Sequence, residues 1–391
     1  MSKNRKEPFI ELFDLTRLKD VPFLIIKGFL MGSADIVPGV SGGTMALITG
    51  IYDRLIFAIK SFDYKALKFA LGFRIRELFN HIHWKFFLFL GTGMALAVIF
   101  FTRIVPLQVY MFTHSEWVYG IFFGLIIGSI FLLIAEINMN ERNWKYFVAI
   151  IGGTLFGLWV VNLVPADTPE SFGFVFLTGS IAISAMILPG ISGSYLLLIF
   201  RKYDYILSQL GMLGTTETAD ALINLAPFIL GCLFGIILFS RLLSWLLKNY
   251  HAITILVLIG FLIGSLWVIW PYQEREYVEK VRSTETVMID DPMVEELLVI
   301  EEPILGPEYK RLGERGIDSE SGQETDMIVI ETVSRQLISS TPLFPWSERH
   351  YDFDPDRKRD GLFGMVLGVL MISIIFFLRS KKRSIAEIEN E

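Results

Sequence analysis

Two short runs hold the side chains and amides best suited to gripping an oxyanion: Ser41-Gly42-Gly43-Thr44 and Ser192-Gly193-Ser194. Each follows a Pro-Gly pair and one β-branched residue. Glycine lets a ligand come close to the backbone, and serine and threonine hydroxyls donate directly or cap the helix that follows. Two helix starts converging on one point would offset much of a phosphate monoanion's charge. Asp35 stands just upstream in an apolar stretch. An ionised carboxylate at bilayer depth costs at least ~2.5–3.5 kcal/mol and needs a cation, a proton or a wet cavity. Its chemistry would be to hold H+ or Na+ as a coupling ion. Arg54 and Arg201, with Lys202, Arg103 and Arg241, could present guanidinium or ammonium donors to a phosphate. Plainer readings stand beside these. Small residues let helices pack, a membrane aspartate can be a hydrogen-bonded structural group, and interfacial basic residues and tyrosines are ordinary anchors.

The two runs belong to copies of one segment. Ser33-Ala34-Asp35-Ile36-Val37-Pro38-Gly39-Val40-Ser41-Gly42-Gly43-Thr44 returns 151 residues later as Ser184-Ala185-Met186-Ile187-Leu188-Pro189-Gly190-Ile191-Ser192-Gly193-Ser194-Tyr195. At that offset Gly28 matches Gly179, Leu47-Ile48 matches Leu198-Ile199, and Tyr52-Asp53 matches Tyr203-Asp204. Asp35 falls opposite Met186, so one coupling site is expected rather than two.

The elements that must position these residues are membrane helices. Hydrophobic residues make up 53% of the chain, mean hydropathy is +0.52 and charged residues are 19%, against roughly 25% in soluble domains. Runs of about 20 residues, enough to cross ~30 Å of hydrocarbon, lie at 84–105, 117–135, 144–164, 227–247, 252–270 and 361–378. The motif regions 21–59 and 172–210 are longer, with Pro-Gly near the middle, and two full helices or a pair of half-helices would fit each. The small polar turn favours a re-entrant hairpin, which must be buried in protein or line a wet cavity. A single cysteine, Cys232, excludes an intrachain disulfide. The basic amino terminus leads into the first apolar stretch without a signal-peptide cleavage pattern.

Lys and Arg placement orients the spans. The amino terminus, with Lys3, Arg5, Lys6, Arg17 and Lys19, and the loop with Lys60, Lys65, Lys68, Arg74, Arg76 and Lys85 read as cytoplasmic. Segment 106–116 reads as external, 136–143 with Arg142 as internal, and 165–171, with Asp167 and Glu170, as external. The loop 211–226 is external and 248–251 internal. The block 272–360, with 22 acidic and 11 basic residues, is external and the basic tail with Arg379, Lys381, Lys382 and Arg383 internal. Only Arg357-Lys358-Arg359 dissents. Both termini are then cytoplasmic.

A hairpin plus three spans is an odd number of crossings, so the second copy is inverted. The expected fold is an all-α polytopic membrane protein of two inverted repeats, each a re-entrant hairpin plus three transmembrane helices. The order is a segment 1–20, a first repeat 21–164, a second repeat 165–270, an acidic insertion 271–360, its last span 361–378 and a tail 379–391. Phe100-Phe101-Thr102-Arg103 echoes Leu238-Phe239-Ser240-Arg241, and Gly124, Gly128 and Ser129 echo Gly260, Gly264 and Ser265. About ten residues beyond each tip, roughly 15 Å along a helix, Tyr52-Asp53-Arg54 and Arg201-Lys202-Tyr203-Asp204 are expected at headgroup depth.

Residues 34–44 taken with Leu188-Pro189-Gly190-Ile191-Ser192-Gly193-Ser194 resemble the motif pair of PopT-type polyprenyl-phosphate transporters, a family once known only as a domain of unknown function. The resemblance covers about 21–270 plus the final span. It implies a bacterial plasma-membrane translocase that returns undecaprenyl phosphate from the outer to the inner leaflet, recycling the carrier lipid of cell-wall synthesis. The partners it implies are that lipid and the membrane, without nucleic acid; no cofactor beyond a coupling ion is called for. The acidic insertion lies outside the family pattern.

Two other classes compete. Gly39-Val40-Ser41-Gly42-Gly43 fits G-x-S-x-G, and the G-x-S-G of both copies resembles rhomboid-type intramembrane serine proteases. A nucleophilic serine needs a base within reach, yet His81, His83, His114, His251 and His350 fall in loops or at span ends, and the strand-turn-helix setting is missing. A non-transporting scaffold would explain the acidic block but leave Asp35 and the duplicated tips without a purpose. Metal and Walker-type nucleotide motifs are absent from the sequence. The insertion, with apolar patches at 287–289 and 297–300, fits a small strand-rich domain or partial disorder.

Overall fold

A computed structural model describes residues 16–37, 40–136, 144–163, 168–299, 308–317, 324–346 and 354–388. Pro38-Gly39, Lys3, Arg5, Lys6, Arg142, Asp167 and His350 lie outside the described residues, as do the side chains of Arg379, Lys381, Lys382 and Arg383.

The chain opens with α1 (Val21–Ile36), α2 (Gly42–Ile48) and α3 (Tyr52–Lys60). Two short helices, α4 (Tyr64–Leu71) and α5 (Ile75–His81), precede α6 (Trp84–Ile99), which runs on through a π turn at Phe100–Ile104. Then come α7 (Leu107–Thr113), α8 (Ser115–Glu136) and α9 (Trp144–Val161). The second copy contributes α10 (Phe172–Ile187), α11 (Gly193–Ile199) and α12 (Tyr203–Gly211), followed by α13 (Thr218–Asn249) and α14 (His251–Ile269). After them lie β1 (Gln273–Met288), α15 (Pro292–Val299), β2 (Glu308–Ile317), β3 (Glu324–Pro342) and α16 (Pro355–Ile388).

The duplication extends to secondary structure. Helices of 16, 7 and 9 residues occur in that order in both copies, and every bound of α10, α11 and α12 is the matching bound of α1, α2 and α3 displaced by 151. The same local chemistry acts twice. A residue preceding proline is pushed out of the helical region, so Val37 (ψ 116°) and Leu188 (ψ 131°) are extended and end α1 and α10. The second break in each copy uses a left-handed residue, Gly50 (φ 69°) in one and Arg201 (φ 49°) in the other.

Among the described residues six helices are long and apolar enough to cross a bilayer: Trp84–Ile104, Ser115–Ala135, Trp144–Val161, Thr218–Asn249, His251–Ile269 and Pro355–Phe377. Each contains or overlaps one of the runs read from the sequence. Glycines set how closely neighbours approach. On α1 and α6, Gly28 and Gly93 face each other with no room for a Cβ, and Gly179 and Gly231 likewise press on the facing backbones of α13 and α10. Gly153 and Gly157 meet Gly260 and Gly264 on α14 in the same way, and Gly120 meets Gly364 where α8 passes α16. Such contacts replace the hydrophobic drive that is missing between helices in lipid.

The chain divides into two compact units, Met1–Phe100 with Leu125–Ile269 and Val369–Glu391, and Phe101–Gly124 with Trp270–Gly368. The first is helical. The second corrects the all-α expectation: β1, β3 and β2 form an antiparallel sheet in that order. Val294, Ile328 and Ile330 are its small core, with Val287, Ile289, Leu297 and Leu312 packed around them. Along β3, Ile328, Ile330 and Val333 are buried, while Glu331 and Arg335 form ion pairs with neighbouring strands, Arg311–Glu331 at 2.8 Å and Arg335–Glu279 at 3.2 Å. Buried Glu116 pairs with Arg357, one of the three basic residues that dissent from the charge rule. Residues 101–124, read from sequence as part of the first repeat, group with this unit.

Candidate functional site

The site is built from the two helix breaks, 37–41 and 188–192, both in the first unit. In the second break Pro189 and Gly190 are buried. Gly190 has φ +84°, and a Cβ there would stand 2.7 Å from the Phe261 carbonyl oxygen. Only glycine meets both conditions.

The breaks touch. Thr44 Oγ1 accepts the Gly190 amide at 2.9 Å, and the Ser41 hydroxyl lies 3.4 Å from the carbonyls of both Met186 and Leu188. Tyr52 donates its hydroxyl to the Ile187 carbonyl at 3.3 Å. Gly43 brings α2 against the second copy: a Cβ on it would sit 2.8 Å from the Ile187 carbonyl oxygen. Ser41, Thr44 and Tyr52 are each 1–2% exposed. Three side chains of the first copy thus satisfy backbone groups that the second helix break frees, as buried polar groups require.

The remaining polar atoms are arranged unequally. Ser41 caps α2, accepting the Gly43 amide at 3.2 Å, and Asp35 Oδ1 accepts the Gly42 amide at 2.6 Å. A carboxylate of the protein itself therefore occupies the start of α2, the place the sequence suggested for a bound anion. Asp35 is nonetheless exposed at the surface of this unit. In the second copy the Ser192 and Ser194 hydroxyls, 2.9 Å apart, pair with each other, and Ser194 is exposed. Met186 connects the two sides, since its carbonyl lies beside Gly43 and its Cβ 3.1 Å from where a Gly193 Cβ would be.

The basic candidates stand elsewhere. Arg54 donates to the Thr16 hydroxyl at 2.6 Å and lies over the Phe86 ring. Arg201 is exposed, whereas Lys202, 2% exposed, donates to the Thr168 carbonyl at 2.9 Å. Arg103 and Arg241 are exposed on α6's π turn and on α13. The continuous helix expected to run about ten residues beyond each tip is corrected, because α2 and α11 stop after seven residues and the chain turns before α3 and α12. Tyr52 consequently reaches the opposite break. Its role was hidden because its partner is a backbone carbonyl 135 residues away. Lys27, also unnoticed in the sequence, donates to the Thr49 carbonyl at the end of α2 at 2.8 Å.

No histidine stands among the described hydrogen bonds of Ser41 or Ser192. His81 pairs with Asp63 at 2.9 Å and His251 with Asp53 at 3.3 Å. Among the described residues no group of three or more His, Cys, Asp or Glu could hold a metal ion.

Residues 31–287 match the family described as undecaprenyl phosphate translocase-like. A polyprenyl-phosphate transporter of Vibrio cholerae serotype O1 is 36% identical over 249 residues, which is 64% of this chain and 77% of that protein. A polyprenyl-phosphate transporter of Staphylococcus aureus is 31% identical over 261 residues, 63% of this chain and 85% of that protein. No solved structure matches the chain. The six apolar helices and these relatives identify a multi-pass membrane protein.

Proposed function

We propose that this chain, which belongs to the undecaprenyl phosphate translocase-like family, moves a polyprenyl phosphate between leaflets by passing its phosphate across the junction of the two helix breaks. The observation that carries this reading is the bonded meeting of the breaks, Thr44 to Gly190 and Ser41 to the carbonyls of Met186 and Leu188. Such a junction is a polar seam inside an apolar protein. Only the headgroup needs a protein path, since the prenyl chain is at home in hydrocarbon.

In this reading α1–α2 and α10–α11 are re-entrant hairpins of two inverted repeats, entering from opposite faces. The helix bounds repeated at an offset of 151 residues and the doubled glycine contacts support the duplication on which this reading rests. Rocking of one repeat against the other opens the seam first outward and then inward, carrying the lipid from outer to inner leaflet. Ser41 and Thr44 hold the breaks together while no phosphate is present. They exchange neutral bonds for charge-assisted ones, roughly twice as strong, when the breaks part around a phosphate. Ser192, Ser194 and the Gly193 amide complete the seat, joined by the Gly42 and Gly43 amides once Asp35 and Ser41 release them; Arg201 gathers the headgroup on one side and Arg54 receives it on the other.

Asp35 then couples transport to an ion. Ionised and bonded to Gly42, it repels an incoming phosphate; with a proton or Na+ bound it no longer does. Phosphate entry and ion binding at Asp35 are linked for that reason. No further cofactor is required.

The test is reconstitution of the purified chain into liposomes holding a polyprenyl phosphate accessible to a reagent in one leaflet only. Protein-dependent movement of the chemically unchanged lipid is expected. Release of free phosphate, or alteration of the lipid, would instead identify a hydrolase.

A further inference from the structure

We propose that the α4–α5 pair is a bilayer-surface anchor that binds anionic phospholipid headgroups. The sequence leaves 60–83 as a basic loop, but the structure folds it into two helices with large apolar side chains left uncovered. Phe73 is 88% exposed, Tyr64 75% and Leu71 73%, with Leu67, Ile75 and Phe79 also exposed. Tyr64, Leu67 and Leu71 share one side of α4 by their spacing, while Lys65 and Lys68 fall together on another. On α5, Ile75 and Phe79 pair in the same way.

Charge selects the partner. Segment 60–85 carries six basic residues, Lys60, Lys65, Lys68, Arg74, Arg76 and Lys85, against two acidic ones, Asp63 and Glu77. Both acids are engaged within the segment, Asp63 with His81 at 2.9 Å and Glu77 with Arg74 at 2.8 Å. Lys65, Lys68 and Arg76 are exposed. Basic residues interleaved with protruding Leu and Phe are the composition of a helix lying in the headgroup layer of an anionic leaflet.

Position places the pair there. α6, apolar enough to cross the bilayer, starts at Trp84, just after α5 ends. Phe79 meets the Trp84 ring at 5.6 Å between centroids, and Phe62 meets Phe87 at 5.5 Å, so both ends are fastened to the start of that span. Between the helices Phe73 adopts φ 54°. An aromatic residue in this left-handed region is unusual and strained, and the turn leaves its ring uncovered between the two helices. Burial of that ring among acyl chains would compensate the strain.

Depth measurement tests this on the full chain. In a Cys232→Ser background, single nitroxide labels at Leu71→Cys, Phe73→Cys and Asn80→Cys are compared in vesicles of phosphatidylcholine with and without one third phosphatidylglycerol. In the anionic vesicles, labels at 71 and 73 are expected to be several-fold more accessible to oxygen, relative to a water-soluble nickel chelate, than the label at 80. The difference should shrink in neutral vesicles, in high salt and in K65Q/K68Q/R76Q. Equal nickel access at 71, 73 and 80 overturns the proposal, as does a depth independent of lipid charge. Spin–spin broadening between labels at 73 would assign the face to a second copy and overturn it too. Phe73→Gly suits the backbone at that position and should remain folded while its anchoring weakens, which separates lost anchoring from misfolding.

Discussion

Thr44 and Gly190 are 146 residues apart in sequence, and the Gly190 amide donates to the Thr44 hydroxyl oxygen at 2.9 Å. Both residues are buried. One hydroxyl of the first copy thus satisfies the amide that the second copy's Pro-Gly break leaves without a helical partner, and the two breaks become one structure. Thr44→Val keeps the shape and removes the acceptor. A buried amide without a partner costs about 1–3 kcal/mol, so the variant should unfold at lower temperature in detergent. Thr44→Ser should remain near the wild type.

Gly50 and Arg201 occupy matching left-handed turns, φ 69° and 49°. Arg201→Gly relieves a conformation that costs a non-glycine residue on the order of 1 kcal/mol. Its thermal midpoint should rise or hold. Lipid transport should nevertheless fall, because the guanidinium is the part that gathers the headgroup. Gly50→Ala should lose about 1 kcal/mol of stability by the same rule. A gain in both stability and transport for Arg201→Gly would remove that arginine from the mechanism.

Asp35→Asn retains an oxygen to accept the Gly42 amide, now at 2.6 Å from the carboxylate, but carries no charge. Folded protein should be recovered in normal amounts. Transport by the variant should lose its dependence on pH or Na+, whichever the wild type shows. Unchanged ion dependence rules Asp35 out as the coupling group.

The duplication was legible because it is written in local signals, Pro-Gly and its flanks, that act on the backbone wherever they occur. For that reason the helix bounds repeat residue for residue while the tertiary roles do not. Ser41 and Ser192 match in sequence, yet one hydroxyl holds the opposite break and the other pairs with Ser194. Which of them is engaged depends on a backbone turn from the other copy, and no spacing rule carries that information. The bond of Tyr52 to the Ile187 carbonyl is illegible in the sequence for the same reason: it depends on the turn at Gly50, which redirects the chain. The six spans could be read from length and hydropathy alone. For the insertion the sequence left a small strand-rich domain or partial disorder open, and its register was out of reach, since β1 and β3 pair from Gln273 with Pro342 to Met288 with Met327 across a long intervening segment.

Asp63 gives the α4–α5 pair a pH signature. Partial burial pushes its carboxyl up, but the amides of Ala66 and Lys65 and the His81 side chain outweigh this and hold it below the ordinary value. A carboxyl depressed in the folded state stabilises above its unfolded pKa of about 3.9 and loses that contribution as pH falls through the folded value. Asp63→Asn keeps the oxygen that accepts the Lys65 and Ala66 amides but removes the charge, and should therefore weaken the pair at neutral pH only by roughly 0.3–1 kcal/mol, the worth of an anion at a helix start. The gap from the wild type should close below about pH 4. Hydrogen exchange at the amides of α4 measures it.

The central claim, that the joined breaks carry the phosphate, is tested most directly by the rate at which polyprenyl phosphate changes leaflet in vesicles containing wild-type protein or Ser192→Ala/Ser194→Ala. Both hydroxyls lie outside the Thr44–Gly190 junction, so the double variant should fold normally. We expect the wild type to move the intact lipid and the double variant to do so at least about tenfold more slowly, the loss of two charge-assisted hydrogen bonds. Equal rates in equally folded proteins would contradict the account.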